Sequence, residues 1–166
     1  VNCYTMECSV LVHLFDMAVW AYLIALSNAE DTEETATKKF FIGIFHDIAE
    51  VWTKDIPSPI KNRIPGFREA TEKFELEMLD RHMYSVVPEY LKEALKSVMM
   101  EDDANKCLKD EMKDADYLSA DSECYRSLLC GSRDTYFRDA VVNHKPRTKN
   151  KLYNEIHEYF VEYVTN

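Results

Sequence analysis

Glycine is scarce in this chain. Three glycines occur in 166 residues, where an average share of about 7% would give roughly 12. Gly43, Gly66 and Gly131 lie far apart. No glycine-rich phosphate loop can be built from them, which excludes P-loop and Rossmann nucleotide sites. The five prolines are also few, and a β-sandwich or barrel needs many turns rich in both residues. Positive charge is the minority sign: 20 basic against 30 acidic residues give a net charge of -10. Such a surface repels a nucleic-acid backbone and an anionic membrane, so neither is expected as a partner. The cysteines (Cys3, Cys8, Cys107, Cys124 and Cys130) are odd in number and contain no Cys-x-x-Cys. They read as reduced thiols of a cytoplasmic protein. Repeats, low-complexity tracts and linkers are absent from the sequence.

What is present is globular in composition, 46% hydrophobic and 30% charged, with enough chain to bury a core. Residues 1–166 are expected to form a single domain, whose usual length is about 100–150 residues. The longest apolar run, residues 10–26, reaches the lower limit of a membrane span at about 17–25 residues. It contains His13 and Asp16, which are costly in lipid, so a buried helix is the expectation. The first residue is Val1 rather than Met, which leaves room for residues ahead of it.

Hydrophobic spacing predicts an all-α, bundle-like domain of about six or seven helices. The first covers about residues 5–27, with Val10, His13, Met17, Trp20 and Ile24 on one stripe. Asp31 with Glu34 suggests an N-terminal cap for the second. Phe40, Phe41, Ile44, Ile48 and Val51 mark its inner side, and it should fade near Trp52. Pro57, Pro59 and Pro65 predict a loop next. Further helices fit residues 67–82, from Pro88 to about 100, from the acidic cluster 101–103 through Asp116 to about 129, 132–143 and 148–164.

Four residues fit their surroundings poorly. His13 lies in the apolar stripe of the first helix, Asp47 in the stripe Phe40, Ile44, Asp47, Val51, with His46 beside it, and Asp116 one turn after Met112. A buried carboxylate is costly unless paired or bound to a metal. Two carboxylates and two imidazoles make a mixed N/O donor set suited to Mn, Fe, Co, Ni or Zn better than to Ca. Each residue also has an ordinary reading: a hydrogen-bonded core histidine for His13, a salt bridge to Lys113 for Asp116. A divalent ion would also supply the positive charge that an anionic substrate needs on so acidic a protein. Glu50 lies three and four residues after the His-Asp pair, one helical turn away, where it can work on a water without being a ligand.

The stretch from Phe45 to Lys61 carries His46-Asp47, then Glu50, Asp55, Pro57-x-Pro59 and Lys61. With Lys113-Asp114-Ala115-Asp116 and Val87-Pro88-Glu89, it resembles the HD-domain phosphohydrolases, in particular their 5′-deoxynucleotidase branch. The resemblance runs from His13 to about Leu129. It implies that His13, His46, Asp47 and Asp116 hold one divalent transition metal per chain, and that Glu50 works on the attacking water or the leaving group. It implies that Asp55 contacts the sugar, that the substrate is a small nucleotide, and that a homodimer forms. Val12 and Leu14 flank His13 where the family has a Glu and a small polar residue, and residues 1–12 lack the basic contacts the family carries there. Lys54, Lys61 and Arg63 are candidates for neutralising phosphate, Lys61 being the one in the family pattern. The tyrosines Tyr117, Tyr125, Tyr136, Tyr153, Tyr159 and Tyr163 read as core or interface rather than as base-stacking residues. The expected activity is removal of phosphate from deoxynucleoside 5′-monophosphates. Two alternatives stand beside it: an HD-type phosphoesterase for another nucleotide or phosphoester, and a helical interaction protein with a structural or vestigial metal site.

Overall fold

The computed structural model describes residues 9–54, 56, 58–99, 106–133 and 135–166. Among these residues the structure is all-α, with no strand. Its helices are α1 (Val10–Ser27), α2 (Glu33–Phe45), α3 (Glu50–Thr53), α4 (Ser58–Arg63), α5 (Phe67–Leu79), α6 (Glu89–Met99), α7 (Lys106–Leu129), α8 (Thr135–Asn143) and α9 (Lys151–Thr165).

The helix ends follow local chemistry. Ser9 is extended and its side chain accepts the Val12 N–H, so α1 starts at Val10 rather than near residue 5. The second helix is capped by Thr32, which accepts the Thr35 N–H at 3.2 Å, and not by Asp31. Asp31 instead binds Asn28 Nδ2 and the ammonium of Lys39. Where a proline loop was expected, α4 forms, because Pro59 falls in its first turn, where no N–H is needed. The predicted helix over residues 67–82 appears as α5 followed by a π-helical turn at Asp80–Tyr84, closed by the Ser85 N–H donating to Asp80 O at 3.1 Å. The capping expectation for residues 101–103 lies outside the described residues.

Helices α1 and α7 form the centre. Met17, Ala21 and Ile24 of α1 pack with Ile42 of α2, with Met112, Ala115 and Leu118 of α7, with Val141 of α8, and with Tyr153, Phe160 and Val164 of α9. By length and composition α1 could cross a membrane (mean hydropathy 1.8 over 18 residues). In this fold its buried face meets α2, α7 and α9, and Asp16 pairs with Arg126 of α7 at 2.5 Å.

The inner face of α2 differs from the predicted stripe. Ala36, Lys39, Ile42 and Gly43 are buried, whereas Phe41 and Val51 are 45% and 47% exposed. Helix packing sets this face: a Cβ on Gly43 would lie 2.7 Å from Ala18 Cα, so the missing side chain lets α1 and α2 touch backbone to backbone. Gly43→Ala should therefore cost about 1–3 kcal/mol by overpacking, despite alanine's better helix propensity. Urea unfolding should show the midpoint falling.

Candidate active site

Helix α2 ends at Phe45, so the expected single helix through Trp52 is broken. A tight turn, His46–Ala49, leads into α3. Its bonds run from i to i+3: the Glu50 N–H donates to Asp47 O at 2.9 Å and the Val51 N–H to Ile48 O at 3.3 Å. In such a tightened turn, residues i and i+3 eclipse. Asp47 and Glu50 consequently face the same way, and both line a cavity of about 570 Å³. His13 of α1, Lys61 of α4, and Lys113 and Asp116 of α7 line it too, and Tyr136, Phe137 and His144 close its aromatic side. A second cavity of about 640 Å³ is lined, among the described residues, by Leu128, Tyr159, Glu162, Tyr163, Val164 and Asn166, with no histidine or cationic side chain among them.

His13 is held between two groups of α7. Its Nε2 is 3.3 Å from Asp116 Oδ1, and its Nδ1 is 3.1 Å from Ser119 Oγ. The Asp116 bond raises the affinity of His13 for a proton against the opposing effect of burial. Burial alone would push the Asp116 carboxyl up. The hydrogen bond from His13 and the ammonium of Lys113, 2.5 Å from Oδ2, outweigh it and hold Asp116 well below the usual carboxylate range. The two readings of Asp116, salt bridge to Lys113 and member of a polar site, thus hold together. Ser119 supplies from α7 the ring-orienting contact that Val12 and Leu14 do not supply.

The other pair is less well satisfied. Nδ1 of His46 is buried, 3.1 Å from Asp47 Oδ2 but not aligned with it, and forms no hydrogen bond. Burial raises the pKa of Asp47, and the nearby Asp116 charge adds to this against the pull of His46. Glu50 Oε1 is 3.4 Å from Lys61 Nζ, both half-buried. The four expected ligands therefore form two pairs, and three of them share the cavity. Among the described residues no three His, Cys, Asp or Glu side chains close into a ligand cluster. Asp55 lies outside the described residues. Lys54 and Arg63 are exposed, and of the three candidate cations Lys61 is the one found lining the cavity.

Neighbouring acids take opposite roles. Two positions apart on a helix, Asp114 and Asp116 point to different sides. Asp114 is fully buried and accepts the N–H groups of Arg147 and Thr148 at 2.6 and 2.9 Å. It anchors the segment before α9. Lys113 as a site residue, and Ser119, Phe137 and His144 altogether, are not marked by any pattern of their own in the sequence. Of the two expectations for Tyr136, core or interface, the core one fails: Tyr136 is 70% exposed and lines the cavity. Helical spacing from Asp116 could have pointed to Lys113 and Ser119, one turn to either side on α7.

A family model described as YfbR-like 5′-deoxynucleotidase matches residues 2–166. A 5′-deoxynucleotidase of Photobacterium profundum is 30% identical over 127 residues, covering 74% of this chain and 63% of the relative. One of Shewanella oneidensis is 29% identical over 124 residues with the same coverage. One of Enterobacter sp. is 28% identical over 158 residues, 90% of this chain and 74% of the relative. The chain thus spans 63% of the length of the first two relatives.

Proposed function

Because the chain belongs to the YfbR-like 5′-deoxynucleotidase family, we propose that it hydrolyses the phosphate ester of deoxynucleoside 5′-monophosphates in a metal-dependent reaction. The observation that carries this reading is the convergence of His13 of α1, Asp47, Glu50 and Lys61 from the segment running from the end of α2 through α4, and Asp116 of α7 on one cavity. The residues suit a divalent ion. Nδ1 of His46 is buried without a hydrogen bond, burial disfavours the charge on Asp47, and two imidazoles with two carboxylates are the donors that transition metals prefer. His13, His46, Asp47 and Asp116 would hold it.

Bound there, a metal would neutralise charge on a phosphoryl oxygen and make water easier to deprotonate. The protein's own groups account for the rest. Glu50 accepts the proton of the attacking water as the new P–O bond forms and returns it to the departing 5′ oxygen as the ester bond breaks. The products are a deoxynucleoside and inorganic phosphate. Lys61 orients the Glu50 carboxylate and contributes positive charge beside the phosphate, and Lys113 does the same next to Asp116. Asp55, in the family pattern, is assigned to the sugar. The acidic surface, net -10, makes this local concentration of cations necessary for an anionic substrate.

The test is phosphate release from a panel of deoxyribo- and ribonucleoside monophosphates with Mn or Co. Activity should disappear with a chelator and return when the metal is restored. Absence of phosphate release from every nucleotide with every metal would overturn the reading.

A further inference from the structure

We propose that His144 contacts the nucleobase of the substrate, and that the buried Asp121 is the residue that positions it. The proposal rests on the nucleotidase reading above and assigns the aromatic side of the same cavity. Asp121, on α7, is fully buried. Its Oδ1 is 2.6 Å from His144 Nδ1 and its Oδ2 is 2.8 Å from His157 Nδ1. A carboxylate oxygen can only accept, so both rings donate Nδ1–H, and Nε2 of His144 is the nitrogen left for a ligand.

The two histidines differ in place. His157 stacks on the buried Tyr153 (5.5 Å, 21°), away from the cavity lining. It serves as the second donor that a fully buried carboxylate requires. His144 lines the cavity and stacks nearly parallel on Tyr117 at 4.5 Å and 16°. The His157 side chain is 12% exposed and lines no part of this cavity, whereas that of His144 is 23% exposed and lines it. His144 is fixed by one hydrogen bond and one ring contact at the cavity wall. Its position relative to the phosphate end follows from α7: Tyr117 adjoins Asp116, and the ammonium of Lys113, which pairs with Asp116, lies 4.9 Å from the Tyr117 ring centre. His144 stacks on this same ring, and Phe137 and Tyr136 of α8 line the cavity with it. Flat apolar faces with one ring nitrogen suit a nucleobase, which has a π-face and polar edge atoms, better than a phosphate.

Kinetics on a deoxynucleoside 5′-monophosphate and on deoxyribose 5-phosphate, which lacks the base, test this. His144→Ala should raise KM for the nucleotide about tenfold, the size of one hydrogen bond with its ring contact. It should leave kcat, and both constants for deoxyribose 5-phosphate, close to wild type. His144→Gln should recover part of the loss. Asp121→Asn should raise the same KM in the same selective way, a split that a purely structural role would not produce. Calorimetric binding of the nucleotide should weaken equally in His144→Ala. Unchanged KM in both His144 variants, or equal losses on the two substrates, would overturn the proposal while leaving the nucleotidase reading intact. Wild-type protein that binds the nucleotide but releases no phosphate would overturn the nucleotidase reading alone. Wild-type protein that neither binds nor hydrolyses it would overturn both.

Discussion

Asp47→Ala should lower phosphate release from deoxynucleoside monophosphates by about 10³-fold or more, with little change in melting temperature. The kinetic size follows from the role proposed for Asp47, in which it helps to stabilise transition-state charge in a preorganised site. The small thermal effect follows from the surroundings. Asp47 sits in the turn between α2 and α3, and burial disfavours its charged form. Its removal relieves that cost, so the stability change should stay within about 1 kcal/mol. A colorimetric phosphate assay beside a thermal melt reads both quantities. Wild-type turnover by the variant would remove this cavity from the reaction. Activity lost together with a large drop in melting temperature would mean that Asp47 acts through the fold.

Lys39→Met should have the opposite profile, costing about 3–5 kcal/mol of stability. Lys39 is only 6% exposed. Its ammonium binds Asp31 at 2.8 Å and also Glu111, joining the α1–α2 connection, α2 and α7. Removing it takes away the ammonium that two poorly exposed carboxylates share. The melting temperature should fall by on the order of 10 °C for a chain of this size. The pH dependence has a definite sign. Burial works against the charged amine, but the bonds to Asp31 and Glu111 prevail and raise its pKa above the ordinary 10.5. The stabilisation is therefore fully present below pH 10.5 and is lost as pH rises through the folded-state value. The gap between wild type and Lys39→Met, measured by denaturant unfolding, should be constant near neutrality and shrink only in strong alkali. A gap that closes near pH 7 would refute this account.

The contrast between these two residues shows where pattern reading succeeds and fails. Both lie on or beside the same helix, and both are charged. Periodicity marked Asp47 as out of place because its neighbours Ile44 and Val51 are apolar. It missed Lys39, whose neighbours in the sequence give no hint of two carboxylates, one of them on α7. It also placed Phe41 and Val51 inside, because it could not know that Gly43 seats α2 directly on Ala18. The single helix expected through His46 and Glu50 failed for a related reason. Local spacing does not reveal a tightened turn, yet that turn aims Asp47 and Glu50 together.

The all-α class, most helix positions and the identity of His13, His46, Asp47, Glu50 and Asp116 as unusual residues follow from amino-acid order alone. Those features depend on periodicity, on capping chemistry and on short spacings within one turn. Tertiary packing decided the partners: Ser119 on His13, 106 positions apart in the chain, Arg126 on Asp16, 110 apart, and Asp121 between His144 and His157. Packing also sent Asp114 to an anchoring role and Asp116 to the cavity. A side chain's contacts across helices depend on crossing angle and depth, which no local pattern encodes.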